Sequence, residues 1–346
     1  MAETAETLEQ LPILPEHITA SWLAEKLQRT ITHVEATGVE HGTASKLFYT
    51  LSLDDGDELK TCVKGGFNPA MRAAVPLAVK WWINEAKFFQ SIAASLPFME
   101  PPHCLWSGSD SRQGIVIMPN LADKGFTFGD PKSERSVAEV IDGVEQLAGL
   151  HAATWGKTVD DFPWLAGQPN YMDFVLPELS EGKFDQYGGD VTRPIPNKML
   201  HAHPNPRFNA LLHGDAHLAN TFYKPVLRFL DWQLYFIGPV FHDVSYFIAS
   251  SLSIEHRRAN EKMILDHYLE TLVRLAEGKV PCIKKTDEDV WTEHRKSFLS
   301  GFGWFVTPYV MQPPERVHPM IRRYATAIED HHVVELVESS PDVPAS

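Results

Sequence analysis

The sequence predicts an α+β chain, with a small antiparallel sheet in its first third and a larger, mainly helical remainder. Three observations carry that expectation. Residues 31–53 and 58–64 read as three strands, and Asp54-Asp55-Gly56-Asp57 is a hairpin turn between the second and third. Gln113-Gly-Ile-Val-Ile-Met-Pro119 is a short apolar run of buried-strand type. From Val137 onward, apolar residues recur at three-to-four spacing in several long segments. A chain of 346 residues is long enough for one large domain or two lobes. The expected division is an arm over 1–15, an N-terminal lobe over 16–118 and a C-terminal lobe over 119–346.

Taken in order, 1–15 is polar with two prolines. Residues 18–27 have helical spacing, with Thr19 or Ser21 as the N-cap. Strands follow at 31–37, 46–53 and 58–64. Between the first two lies Gly38-Val-Glu-His-Gly42-Thr-Ala-Ser-Lys46, where Gly42, Thr43 and Ser45 offer backbone N–H groups to phosphate. A helix over 81–96 carries Trp82, Ala86, Phe89 and Ala93 on one side and ends before Pro97. Another helix covers 137–155. Residues 160–207 are rich in Pro and Gly, with a helix expected around 171–180 and a substrate-side role for the segment. Asp243 opens an apolar helix, where an N-cap Asp is ordinary. Three further helices are expected at 258–278, 287–306 and 319–337.

Composition excludes several classes. Hydrophobic residues make up 44% of the chain, enough for a full core. The formal net charge of -14 repels phosphate backbones, so nucleic acid is not expected as a partner. Three widely spaced cysteines form neither a disulfide framework nor a Cys₄ metal site. No signal pattern opens the chain, and no apolar run reaches the ~20 residues that span a bilayer. A cytoplasmic protein without a membrane partner is the expectation; the oligomeric state is not legible.

The stretch that carries chemistry is Leu211-Leu-His213-Gly-Asp215-Ala-His217-Leu-Ala-Asn220, followed by Phe229-Leu-Asp231-Trp-Gln233. A lone Asp or Asn in a loop is ordinarily a turn former. Three such residues at this spacing, each flanked by apolar runs, form instead a set of hard oxygen ligands suited to Mg²⁺. The spacing follows the phosphotransfer grammar in which H-x-D-x-x-x-x-N supplies a base and a metal ligand, and a following Asp supplies a second metal ligand. With Gly214 in place of Arg and Asp-Trp-Gln in place of Asp-Phe-Gly, the pattern resembles the aminoglycoside phosphotransferase and choline kinase superfamily. It is most similar to the ecdysteroid kinase-like branch.

That resemblance runs from about residue 38 to 337 and implies a bilobal, protein-kinase-like fold. It implies ATP and Mg²⁺ as cofactors and a small-molecule hydroxyl as acceptor. Asp215 would be the catalytic base, and Asn220 and Asp231 the metal ligands. Lys64, at the end of the third strand, would neutralise nucleotide phosphates and pair with Glu85 in the following helix. Gly42, Thr43 and Ser45 would cover the phosphates. Residues 117–120, with Met118 and Asn120 among them, would form the adenine hinge. His213 and Asp243 would support the catalytic loop, and Leu150-His151-Ala-x-x-Trp155 is a further shared signature. The loop departs from G-x-G-x-x-G, which leaves its phosphate contacts open.

The acceptor is less legible. Trp164, Tyr171, Phe302, Trp304 and Tyr309 fall in acceptor-side segments and favour an apolar or steroid-like alcohol. Aromatic stripes are also ordinary core. An aminoglycoside or choline-type amino alcohol is the alternative, which acidic residues of the C-terminal lobe would serve. Two other classes compete with a kinase. A metal-dependent hydrolase would draw on His213, Asp215 and His217 with His201 and His203, but no helical H-E-x-x-H is present. A non-catalytic nucleotide-binding module would have lost Asp215, Asn220, Asp231 or Lys64, and all four are present.

Overall fold

The computed structural model describes residues 10–167, 182–187, 206–281, 283–309 and 311–338. The chain divides into two units, Met1–Ser95 with Pro102–Gly125 and Leu96–Pro101 with Phe126–Ser346.

The first unit contains α1 (Ala20–Leu27), β1 (Ile31–His41), β2 (Ser45–Leu53), β3 (Glu58–Gly65), α2 (Pro69–Ala74), α3 (Ala78–Ser91), β4 (Trp106–Ser109) and β5 (Gly114–Pro119). The strands form one antiparallel sheet in the order β1-β2-β3-β5-β4. Alternation in β2 buries Leu47, Tyr49, Leu51 and Leu53. Leu47, Tyr49 and Leu51 join Val63, Ile115 and Ile117 in a core closed by Trp22 and Leu23 of α1. Cys62, Val116 and Met118 pack with Ala86 of α3 in a second cluster. Successive side chains on a strand point to opposite faces, so β3 and β5 are buried on both. The helix cap at Thr19 accepts the Trp22 N–H. β1 extends to His41, four residues beyond the segment read as strand, because a register shift between Ala36 and Gly38 keeps it paired with β2. The helix read at 81–96 starts at Ala78 and gives way to a 3-10 turn at Ala93–Ser95.

The second unit begins its helices with α4 (Val137–Thr154), started by a reciprocal Ser136–Glu139 capping box. Then come α5 (Lys183–Tyr187), α6 (Phe241–Ser251), α7 (Ile254–Leu275), α8 (Glu288–Lys296), α9 (Phe302–Val306), α10 (Pro314–Asp330) and α11 (Val333–Glu338). Two small antiparallel sheets hold the loops of interest. One has the order β6 (Thr127–Phe128), β8 (Thr221–Tyr223), β9 (Leu227–Phe229); the other pairs β7 (Asn209–Leu212) with β10 (Phe236–Pro239).

Two helix expectations need correction. Residues 287–306 are not one helix: α8 ends at Lys296, a 3-10 segment spans Ser297–Gly301, and α9 follows. There Gly301 lies against Tyr324, and a Cβ at that position would sit 2.3 Å from the ring. The last long helix does not start at Pro319. It starts at Pro314, whose missing N–H costs nothing in a first turn, and carries Pro319 inside. Buried Val317, Met320, Ile321, Tyr324, Ala327 and Ile328 recur at helical spacing and hold it against the core despite that interruption. The helix expected around 171–180 lies outside the described residues. Among the described residues no helix is long and apolar enough to cross a membrane.

Candidate active site

In the first unit, Lys64 stands opposite Lys46 on β2 and Val116 on β5. Its Nζ donates to Glu85 Oε1 on α3 at 2.8 Å, and the two side chains are 4% and 3% exposed. Such a pair is tolerated inside a protein only when each charge compensates the other. The loop between β1 and β2 is tied to α3 by Trp82, whose indole N–H donates to the Thr43 carbonyl at 3.0 Å. Trp82 is itself held in a narrow slot. A Cβ on Gly66 would lie 2.1 Å from its ring, and the Arg72 guanidinium lies 4.7 Å from the ring centroid. Ser45 is buried with its hydroxyl 3.0 Å from His41 Nδ1, and the Gly42 N–H closes the turn onto the Ala44 carbonyl. Met118 pairs with Cys62 in the sheet. Asn120 is a turn former: its N–H donates to the Lys60 carbonyl and its side chain accepts the Ala122 N–H.

In the second unit, β7 delivers the chain into the His213–Asn220 loop. Gly214 takes φ +79°, and a Cβ there would lie 2.1 Å from the Leu234 carbonyl oxygen, so both backbone shape and space demand glycine. This is why no Arg stands at that position. Asn220 closes the loop: its Nδ2 donates to the Asp215 carbonyl at 3.0 Å and to Asp215 Oδ2 at 2.9 Å. Nδ2 being committed, Oδ1 is the atom of Asn220 available to a hard cation. Asp231 adopts φ +70°, a costly conformation for a side chain other than Gly, with its Oδ1 accepting from Gln233 Nε2 at 2.6 Å.

His213 couples these two segments. Its Nδ1 accepts the Asp215 N–H at 3.3 Å, so its hydrogen is on Nε2, which donates to the Leu230 carbonyl at 3.1 Å. The ring lies between Phe229 and Trp232, with centroids 5.4 and 4.5 Å away. Burial pushes the imidazole below its ordinary range, against the pull of Asp243 and Asp215, which favours the neutral form that this bonding needs.

The loop is templated by one stripe of α6. Asp243 Oδ2 and Oδ1 accept the His213 and Gly214 N–H groups at 2.6 and 3.0 Å. Tyr246 OH donates to Asp215 Oδ1 at 3.4 Å. Ser250 Oγ accepts the Leu218 N–H at 3.0 Å. Positions i, i+3 and i+7 share a helix face, so a single rigid element sets three points of the loop. Asp243 is not an N-cap: the helix is capped at Val240, and the carboxylate spends its acceptors on the loop. Burial raises the Asp243 carboxyl, but the His151 hydrogen bond and the electrostatic pull of the surrounding imidazoles outweigh it and hold it below the usual range. His151 in turn contacts Tyr268 OH at 2.8 Å through Nδ1. Thr154 Oγ1 accepts the Leu211 N–H, fixing β7 on α4.

Of the acceptor-side aromatics, Phe302 and Trp304 are buried in a core cluster with Tyr246 and Tyr324, and Tyr309 packs at its margin. Tyr309 OH bonds His318 Nε2 at 2.7 Å. Trp164 donates its indole N–H to Tyr235 OH at 2.6 Å. Tyr171 lies outside the described residues, as do His201 and His203. Among the described residues no group of three or more His, Cys, Asp and Glu is arranged to hold a metal ion; Asn220 and Asp231 offer a different donor set, one carboxamide and one carboxylate. Sequence reasoning missed Tyr246 and Ser250. Their signal was the spacing from Asp243, hidden in a helix that reads as apolar throughout. His217 stands out in the sequence only as a metal ligand of the hydrolase alternative.

Residues 177–278 match the model of the ecdysteroid kinase-like family. No curated protein matches the chain. Among solved structures, a microcompartment-associated aminopropanol kinase aligns at 11% identity and TM-score 0.50, over 92% of this chain and 98% of its own. An aminoglycoside 2'-phosphotransferase-IIIa solved with GDP aligns at 14% identity and TM-score 0.47, over 92% and 99%. A choline/ethanolamine kinase family protein from Mesorhizobium loti aligns at 16% identity and TM-score 0.42, over 89% and 93%. At 11% identity the likeness to the aminopropanol kinase speaks for the fold alone. The sequence over 177–278 is thus similar to the ecdysteroid kinase-like family, and the chain shares its protein-kinase-like fold with the aminopropanol kinase.

Proposed function

We propose that the chain transfers the γ-phosphoryl group of ATP, with Mg²⁺, to a hydroxyl of a small metabolite. The observation that carries this reading is the Asp215–Asn220 bond inside a loop braced by α6, with Asp231 tied to the same loop through His213 and Leu230. Asp215 orients the acceptor hydroxyl and takes its proton. Asn220 Oδ1 and the Asp231 carboxylate are the donors that would hold Mg²⁺, and hard oxygen donors fit that ion. The metal, when bound, neutralises charge on the phosphates. Lys64, held by Glu85, offers a fixed cation for the nucleotide phosphates, and the 42–45 loop offers backbone N–H groups.

For the acceptor we favour an alcohol with a large apolar body over an amino alcohol or aminoglycoside. Trp164 and Tyr309 support this, being only partly buried. The test is ADP release measured across steroid alcohols, other apolar alcohols, amino alcohols, aminoglycosides and sugars. Acceleration by apolar alcohols is expected. Acceleration by polycationic acceptors alone would transfer the acceptor role to acidic residues.

A further inference from the structure

His217 stands two residues after Asp215 and is neither base nor metal ligand in the proposed reaction. Its ring is nevertheless placed as if for a task. Nδ1 accepts the Ala219 backbone N–H at 3.1 Å, capping the 3-10 turn Leu218–Asn220. A backbone N–H can only donate, so Nδ1 carries no hydrogen and the ring hydrogen is on Nε2. Nε2 lies 3.5 Å from Asp215 Oδ2. The ring is steadied by two edge-to-face neighbours: Trp304, with centroids 5.1 Å apart at 79°, and Tyr246, at 5.9 Å and 86°. Trp304 is buried at 6% exposure, which makes it a buttress behind His217.

The two oxygens of Asp215 therefore differ. Oδ2 accepts from Asn220 Nδ2 at 2.9 Å and has His217 Nε2 3.5 Å away, an electrostatic contact longer than an ordinary hydrogen bond. Oδ1 has the long contact from Tyr246 OH at 3.4 Å. A carboxylate oxygen that already accepts a short hydrogen bond, with a second N–H turned toward it, is the weaker proton acceptor. We propose that His217 is a positioning residue that, with Asn220, pins Oδ2 and thereby presents Oδ1 as the atom that takes the acceptor's proton. In that step the acceptor O–H proton moves to Oδ1 as its oxygen bonds the γ-phosphorus. The bond from that phosphorus to the β,γ-bridging oxygen breaks, and ADP leaves with the electron pair. The inference rests on Asp215 being the base of the proposed kinase reaction.

Two substitutions separate the two ring nitrogens. In His217→Asn the side-chain oxygen can still accept the Ala219 N–H, but nothing reaches Asp215. In His217→Gln the amide NH₂ replaces Nε2–H and the cap is lost. His217→Asn is expected to lower kcat roughly tenfold to a hundredfold, the scale of a misplaced catalytic group. Nucleotide KM and Tm should stay near wild type. His217→Gln is expected to recover part of kcat while lowering Tm. Equal kcat in wild type and His217→Asn overturns the proposal, as does a loss that follows Tm and is not rescued by Gln. A long-range ¹⁵N–¹H spectrum, assigned through the signal lost in His217→Asn, reads the ring without any turnover. The Nε2-protonated tautomer is expected, and the Nδ1-protonated one refutes the geometry. A wild-type chain inert toward every acceptor sinks the kinase reading and this proposal with it; an active wild type matched by His217→Asn sinks this proposal alone.

Discussion

Two buried charged centres, one in each unit, solve the same problem differently. In the first unit Lys64 and Glu85 face each other at 2.8 Å, a cation against an anion. In the second, the Asp243 carboxylate is fully buried and is met by two backbone N–H groups and His151. The Lys–Glu pair is one side chain against another, and its worth depends on both members staying charged. Asp243 is a hub: its charge organises the backbone of a loop, so its effect travels to Asp215. A paired charge can serve a ligand directly, whereas a charge spent on backbone N–H groups serves by shape.

The largest expected effect is at the tip of the loop that Asp243 shapes. Asp215→Asn should keep nucleotide affinity and lose about two to four orders of magnitude in kcat, the range of general base catalysis. Asp231→Ala, by contrast, should lose the Mg²⁺ enhancement of nucleotide binding, read by titrating ATP with and without the metal. Full enhancement in that variant would place the metal on other residues.

The pair in the first unit should behave as a coupled unit. Glu85→Gln alone leaves Lys64 buried without its carboxylate and should destabilise by about 3–5 kcal/mol. The double variant Lys64→Met/Glu85→Gln should recover much of that loss in thermal or denaturant unfolding, while nucleotide binding stays weakened. Additive losses in the double variant would mean that the two residues are not coupled.

The smallest effect separates two buried groups of the second unit by pH. His213 and Asp243 both have folded pKa values below their ordinary ones. For a depressed group, stability is present above the unfolded pKa and is lost as pH falls through the folded one. Stability should therefore begin to fall below about pH 6.5 on account of His213, and again below about pH 4 on account of Asp243. His213→Gln should flatten the first step in a series of melting curves. An unchanged first step in that variant would assign it to another buried histidine such as His294, whose pKa burial also lowers.

Much of the fold is legible in the sequence. Strands near 46–53 and 58–64, the hairpin at Asp54–Asp57 and the helix holding Glu85 follow from local periodicity and turn chemistry. The broken helix at 297–301 and the start of α10 at Pro314 are not legible. There, packing of Gly301 against Tyr324 and a long apolar stripe override local punctuation.

What the sequence determined by itself was the fold class and the choice of Asp215, Asn220 and Asp231 as a candidate set, because fixed spacing in one short stretch points to both chemistry and local geometry. Only the tertiary structure decided how that stretch is held. The Lys64–Glu85 contact, the α6 stripe of Asp243, Tyr246 and Ser250, and the tautomers of His213 and His217 depend on atoms brought together across the chain or around a loop. A hydrogen bond is specified by distance and direction at its two ends, and a linear pattern carries neither.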